Sequence, residues 1–178
     1  SIMALSHPDR VAFGDAILER LGSPSAVLKG DHAAFKKQHA TFSAANNAVA
    51  KAESAFDKAL VLVGSLDAKR DGTVLGLADK MPAAGLGKRG NPFGGFSKYA
   101  PVALTKLPYA TETVEVTSLV EAILAAAPPA EIVKVCTRLT ADNQAVDGAL
   151  KALTKPADAL SQARTARDRR GCGDVGFD

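Results

Sequence analysis

Residues 132–160 read IVKVCTRLTADNQAVDGALKALTKPADAL. Within them Ile132, Cys136, Leu139, Asn143, Val146, Leu150, Leu153, Ala157 and Leu160 follow one another in alternating steps of four and three. An α-helix turns once every 3.6 residues, so such a row forms a single stripe along one side. The row predicts a long helix over about 130–168. Pro156 removes one backbone donor and predicts a bend, but the stripe keeps its phase across it. The next stripe positions are Arg164 and Arg167, where the helix is expected to leave the core. The tail 171–178 is expected to fray.

Upstream lies a partner for this stripe. Phe35, Phe42, Val49, Phe56 and Val63 recur every seven residues, and Ala45, Ala52, Ala59 and Leu66 form a row of mostly small residues beside them. Bulky side chains next to a small row let another helix approach closely, as in left-handed bundles. A second long helix is expected over 31–70, with a break or kink at Arg70-Asp71-Gly72 and then a short helix that ends before Pro82. Burial of Phe56 is central to this stripe, and its truncation to Ala is expected to cost about 3–5 kcal/mol.

Shorter elements complete the reading. Ser6-His7-Pro8-Asp9 opens a helix that stops at Gly22, with Ser as N-cap and Pro in the first turn. Another helix is expected from Thr111-Glu112 to Pro128-Pro129. The fold class is therefore all-α: one domain over 1–178, an up-and-down bundle built on two long antiparallel helices with accessory helices. At 178 residues, 47% hydrophobic and 23% charged, the chain is long enough and apolar enough to bury a core. Few aromatics and no Trp leave Ala, Leu and Val to fill it, which favours packed helices over sheets.

Residues 82–111 depart from this pattern. They hold five Gly and four Pro, which bar any long regular element. Their charges, Lys88, Arg89, Lys98 and Lys106, are all positive, and Phe93, Phe96, Tyr99 and Tyr109 are interleaved with them. Lys88, Arg89, Lys98 and the aromatics Phe93, Phe96 and Tyr99 form a candidate surface for phosphates and stacked bases, or for another anionic partner. The ordinary alternative is that the aromatics plug the bundle while the charges stay solvated. Arg164, Arg167, Arg169 and Arg170 make a second basic patch, which helix-dipole complementarity also explains.

The remaining motifs carry little chemistry. Gly85-Leu-Gly87-Lys-Arg-Gly90 matches a dinucleotide fingerprint by letter, but lacks the strand before and the helix after that the fingerprint needs. The run Asp67–Gly72 resembles a calcium loop faintly, and Ala78 stands where a bidentate Glu is required. No HExxH, no paired CxxC and no Ser-centred elbow occur, and the three histidines His7, His32 and His39 are expected to be solvated or capping. Asn143, polar on an apolar stripe, either fixes helix register or partner number, or lies hydrated at an edge. Cys136 and Cys172 are expected as free thiols of a reducing, cytoplasmic compartment. No apolar run reaches the length of a membrane span, and no secretory signal is expected. No cofactor and no metal are expected. The leading functional expectation is a non-enzymatic scaffold or interaction module with a protein partner or self-association. Binding of nucleic acid or an anionic surface is the second, and an enzyme with an unrecognised site between helices is the third.

Overall fold

The computed structural model describes residues 5–171 and contains five α-helices: α1 (His7–Leu21), α2 (Lys29–Lys80), α3 (Pro101–Leu104), α4 (Tyr109–Ala125) and α5 (Ala130–Gly171). A 3-10 turn at Ala26–Leu28 leads into α2. No strand forms among the described residues. The fold is an all-α bundle on two long helices. They run antiparallel, since Arg70 of α2 bonds Asn143 of α5 while Thr73, further along α2, bonds Asp142. The predicted cap of α1 is present: Ser6 Oγ accepts from the Asp9 amide at 3.3 Å, and Gly22 closes the helix at φ 48°. Cys172 and the tail 172–178 lie outside the described residues.

Two expectations about helix boundaries are corrected. α2 does not break at Arg70-Asp71-Gly72 but runs unbroken to Lys80, absorbing the short helix expected before Pro82. The stripe also continues, because Arg70 and Leu77 are the next two members of the seven-residue row and both are fully buried. α5 stays helical through Pro156, as the unbroken phase of its stripe predicts.

Contacts group the chain into two compact units. The first holds the residues up to Asp57 and those from Lys155 onward, and the second is Lys58–Thr154. The second unit has a sealed core. Val74 and Leu77 of α2, Met81 just after it, Val116, Leu119 and Ile123 of α4, and Ile132, Cys136 and Leu139 of α5 meet there at zero exposure. The irregular connection contributes to it directly. Phe93 and Leu104 are fully buried, and Phe96, Tyr99 and Leu107 pack against the same cluster. Residues 82–100 therefore form an ordered set of turns, with Leu86 N–H bonded to the Met81 carbonyl and Phe96 N–H to that of Phe93. Gly87 is required here, since a Cβ would collide with the Pro92 carbonyl. Gly95, at φ 92°, adopts a backbone that other residues resist.

The first unit buries far less. Among the described residues its buried apolar side chains are Ala45, Val49 and Leu160. Phe35, Phe42 and Phe56 of the predicted stripe are only half-buried, and Phe13 is 42% exposed. The expected cost for Phe56 is accordingly revised downward, and the aromatic with most to lose is Phe93. In denaturant melts Phe93→Ala should cost about 3–5 kcal/mol and Phe56→Ala clearly less than about 3 kcal/mol. Equal losses would show that the turn-borne Phe93 is no more part of a core than Phe56 is.

Candidate functional site

A buried polar network lies in the second unit, on the two polar residues that interrupt its stripes. Arg70 of α2 is fully buried. Its Nη1 donates to Thr113 Oγ1 at 3.0 Å and to Asn143 Oδ1 at 3.1 Å, so it joins α2, α4 and α5. Its Nη2 donates to Asp67 Oδ1 at 2.5 Å and lies 2.7 Å from Glu112 Oε2. Asn143 turns its amide the other way, donating from Nδ2 to the Thr113 carbonyl at 2.9 Å and to Thr117 Oγ1 at 3.1 Å. One step along, buried Asp142 accepts from Thr73 Oγ1 at 2.7 Å and pairs with Lys69 Nζ at 2.7 Å. Asn143 is thus neither hydrated nor at an edge; it fixes the register of three helices.

Charge decides what this cluster can do. Asp67, Asp71 and Glu112 bring carboxylate oxygens within 4.8 Å of one another beside a single guanidinium. Three full negative charges against one positive charge, with Glu112 fully buried, are too many to hold. Burial pushes Glu112 up to about 8 against the pull of Arg70, and its hydrogen bond with Asp71 adds to the rise. Burial also raises Asp71, partly offset by the same bond. Glu112 therefore keeps a proton that it shares with Asp71. Asp142 shows the opposite balance: burial would raise it, but Lys69 and Thr73 together hold it below the usual range. The three carboxylates also have the donor chemistry of a hard-cation site. Arg70 already supplies the positive charge that a cation would bring, and it touches two of the three.

The predicted site residues fall in different settings. Lys88 and Arg89 are exposed on the turns of the connection. Lys98 pairs with Glu115 at 2.8 Å and sits 5.1 Å above the Tyr99 ring. Phe93 is fully buried, which corrects its role as an exposed stacking platform: it belongs to the core. Phe96 and Tyr99 pack against that core as well. In the first unit Arg164 pairs with Glu53 at 2.9 Å, and Arg167 with Asp168 at 2.9 Å, while Arg169 and Arg170 remain exposed. The Gly85–Gly90 motif lies in turns with no helix opening behind it, and the calcium-like run is part of α2, so neither has the backbone its chemistry needs. Cys136 is buried, and burial raises its thiol, which disfavours a nucleophilic role.

A second candidate site, which the sequence did not reveal, is an apolar groove of about 660 Å³ in the first unit, between α1 and α2. Phe13 and Ile17 line one wall, Phe35 and Phe42 the other, and Lys37 and Arg170 stand among its lining residues. No Asp or Glu lines it among the described residues. The helices meet where His39 covers Gly14, at a distance that leaves no space for a Cβ. His39 is not solvated as expected: its side chain is 8% exposed and its Nε2 lies 2.7 Å from Asp15 Oδ1. The seven-residue spacing of Phe35 and Phe42 was readable in the sequence. That they would line a groove was not, because a stripe does not say how completely it is covered.

No family model, curated protein or solved structure matches this chain.

The shared proton sets a pH dependence. Folded Glu112 retains its proton up to about pH 8, whereas the unfolded chain releases it near the ordinary value of 4.5. Between those values the folded state binds more protons, so stability falls as pH rises, by at most about 1.4 kcal/mol per pH unit. Denaturant melts from pH 5 to 9 should show this decline, and Glu112→Gln should flatten it and leave the variant more stable than the parent at pH 9. A parent and variant with parallel profiles would rule out the shared proton.

Proposed function

We propose that the chain is a non-enzymatic helical interaction module, and that the groove of its first unit receives an amphipathic helix from a partner protein. The observation that carries this reading is the groove's uncovered aromatic lining. Phe13, Phe35 and Phe42 stay half-buried or exposed in a unit with few buried apolar side chains of its own. Apolar surface gathered in a concave site, rather than scattered singly, marks a binding region. The spacing suits a helix. Phe35 and Phe42 lie two turns apart on α2, and Phe13 and Ile17 about one turn apart on α1, which matches anchors repeating at i, i+3, i+4 and i+7.

The charge around the groove narrows the partner. Lys37 and Arg170 contribute positive charge and no lining residue contributes a carboxylate, so a helix with an acidic polar face is favoured. Arg170 thereby takes up the anion-binding role expected for the terminal arginines, directed at carboxylates. Nothing in this reading requires a cofactor.

Two synthetic amphipathic peptides test the reading, with one Leu/Phe face and either Glu or Lys on the polar face. Fluorescence anisotropy against the full chain should give binding about tenfold tighter for the Glu peptide, weakened by salt. Phe42→Glu, with helicity unchanged by circular dichroism, should abolish it. Equal binding of both peptides removes the acidic partner, and failure of either to bind removes the groove reading.

A further inference from the structure

Asp67 and Asp71 stand one helical turn apart on α2, and Glu112 lies in the first turn of α4. One oxygen from each falls within 4.8 Å of the other two. Oxygens bound to one hard divalent cation at about 2.0–2.6 Å lie at most about 4–5 Å apart, so the three fit around a single ion. Acidic residues gathered at a surface would mean nothing by themselves. Here the far side of the cluster is closed: the Glu112 side chain is 1% exposed, and neither of its oxygens has a hydrogen-bond donor. Asp71 Oδ1 is buried and equally without a donor. Carboxylate oxygens only accept, and buried acceptors left unmet are costly. Beyond the proton that Asp71 and Glu112 share, no N–H or O–H of the described residues satisfies them.

Arg70 supplies one positive charge, and the cluster calls for more. The guanidinium engages Asp67 through Oδ1 and faces Glu112 Oε2, one oxygen of each, and Asp71 has no ion pair among the described residues. Three ionised carboxylates beside one guanidinium leave two negative charges over, which a divalent cation cancels and a shared proton only halves. Asp142 shows the contrast, since Lys69 and Thr73 satisfy it at 2.7 Å each. The cluster is also reachable. Asp67 and Asp71 are half-buried, so an ion and its remaining waters can enter from the α2 side while Glu112 closes the other. Its donors are all oxygen, with no His or Cys among them, which selects hard cations over Zn2+.

The geometry points to a binding site for one hard divalent cation, of the Ca2+ or Mg2+ class, held by Asp67, Asp71 and Glu112 where α2 meets α4. The cation takes the place of the proton that Asp71 and Glu112 share, and that proton passes to solvent. Arg70 keeps its bonds to Thr113 and Asn143, so the register of the helices does not depend on the ion. The run Asp67–Gly72 fails as a calcium loop because it is helical; its two Asp residues serve instead as a one-turn pair that Glu112 of another helix completes. The inference is independent of the groove, which lies in the other unit.

Mn2+ is a suitable probe, because electron paramagnetic resonance counts the free ion directly. Titration of the chelator-treated full chain should show one site with a Kd below about 1 mM, from which Ca2+ or Mg2+ displaces the probe. Glu112→Gln, which keeps the size of the side chain, and Asp71→Asn should each weaken binding at least about tenfold. Asp79→Asn, exposed on the same helix, should change it less than about twofold, and circular dichroism should show all three variants equally helical. In the unsubstituted chain, Mn2+ should broaden the amide resonances of Glu112 and Thr113 before any others. Absence of saturable Mn2+ binding below about 1 mM overturns the inference. So does binding that survives both Glu112→Gln and Asp71→Asn, or broadening that begins elsewhere in the chain.

Discussion

A guanidinium with no access to water governs the second unit. Removing such a charge from solvent costs several kcal/mol unless its donors are met. The Arg70 guanidinium is hydrogen-bonded on three helices, to Asp67 on its own, Thr113 on α4 and Asn143 on α5. Glu112 lies 2.7 Å away, and only Nε lacks a hydrogen-bond partner. Because these bonds are directional, they admit one register, whereas apolar stripes alone tolerate slippage by a turn. Breaking one partner leaves a charge stranded, so the arrangement acts as a lock. The same lock explains why α2 continues through Arg70-Asp71-Gly72 and why Glu112 keeps a proton far above the ordinary carboxyl range.

The heptad rows made the fold class legible. Ile132, Cys136, Leu139 and Val146 are buried as their spacing requires, as are Val49 and Val63 on the facing helix. What misled was polarity. Arg70-Asp71-Gly72 has the composition of a helix end, yet Arg70 stands seven residues after Val63 and seven before Leu77, and that continuity was the available signal. Asn143 posed the same question on the other stripe. Each polar interruption looked unfavourable alone; the two are hydrogen-bonded to each other, and pairing across 73 residues of sequence leaves no local trace.

The connection between the long helices is the clearest case in which composition and burial part company. Its glycines and prolines do exclude long elements, but they shape tight turns that deliver Phe93 into the core. A Phe among Lys, Arg and Gly reads as a stacking surface until its burial is known. In the other unit the reverse holds. Phe35 and Phe42 read as core, and they line an open groove because little packs over them. Burial, unlike periodicity, depends on what every other element leaves uncovered.

The contrast between the units organises the functional account. One carries a closed core and a buried ionic cluster held by Arg70. The other carries aromatic surface without a core of matching size. Buried core and uncovered apolar area are thus separated along the chain. All of it presupposes that the Arg70 cluster sets the helix register. A double-mutant cycle between Arg70→Leu and Asn143→Leu, measured by denaturant unfolding, tests that directly. The account predicts that the pair of substitutions costs less than the sum of the two alone, by a coupling on the order of 1–3 kcal/mol. Additive losses would contradict it.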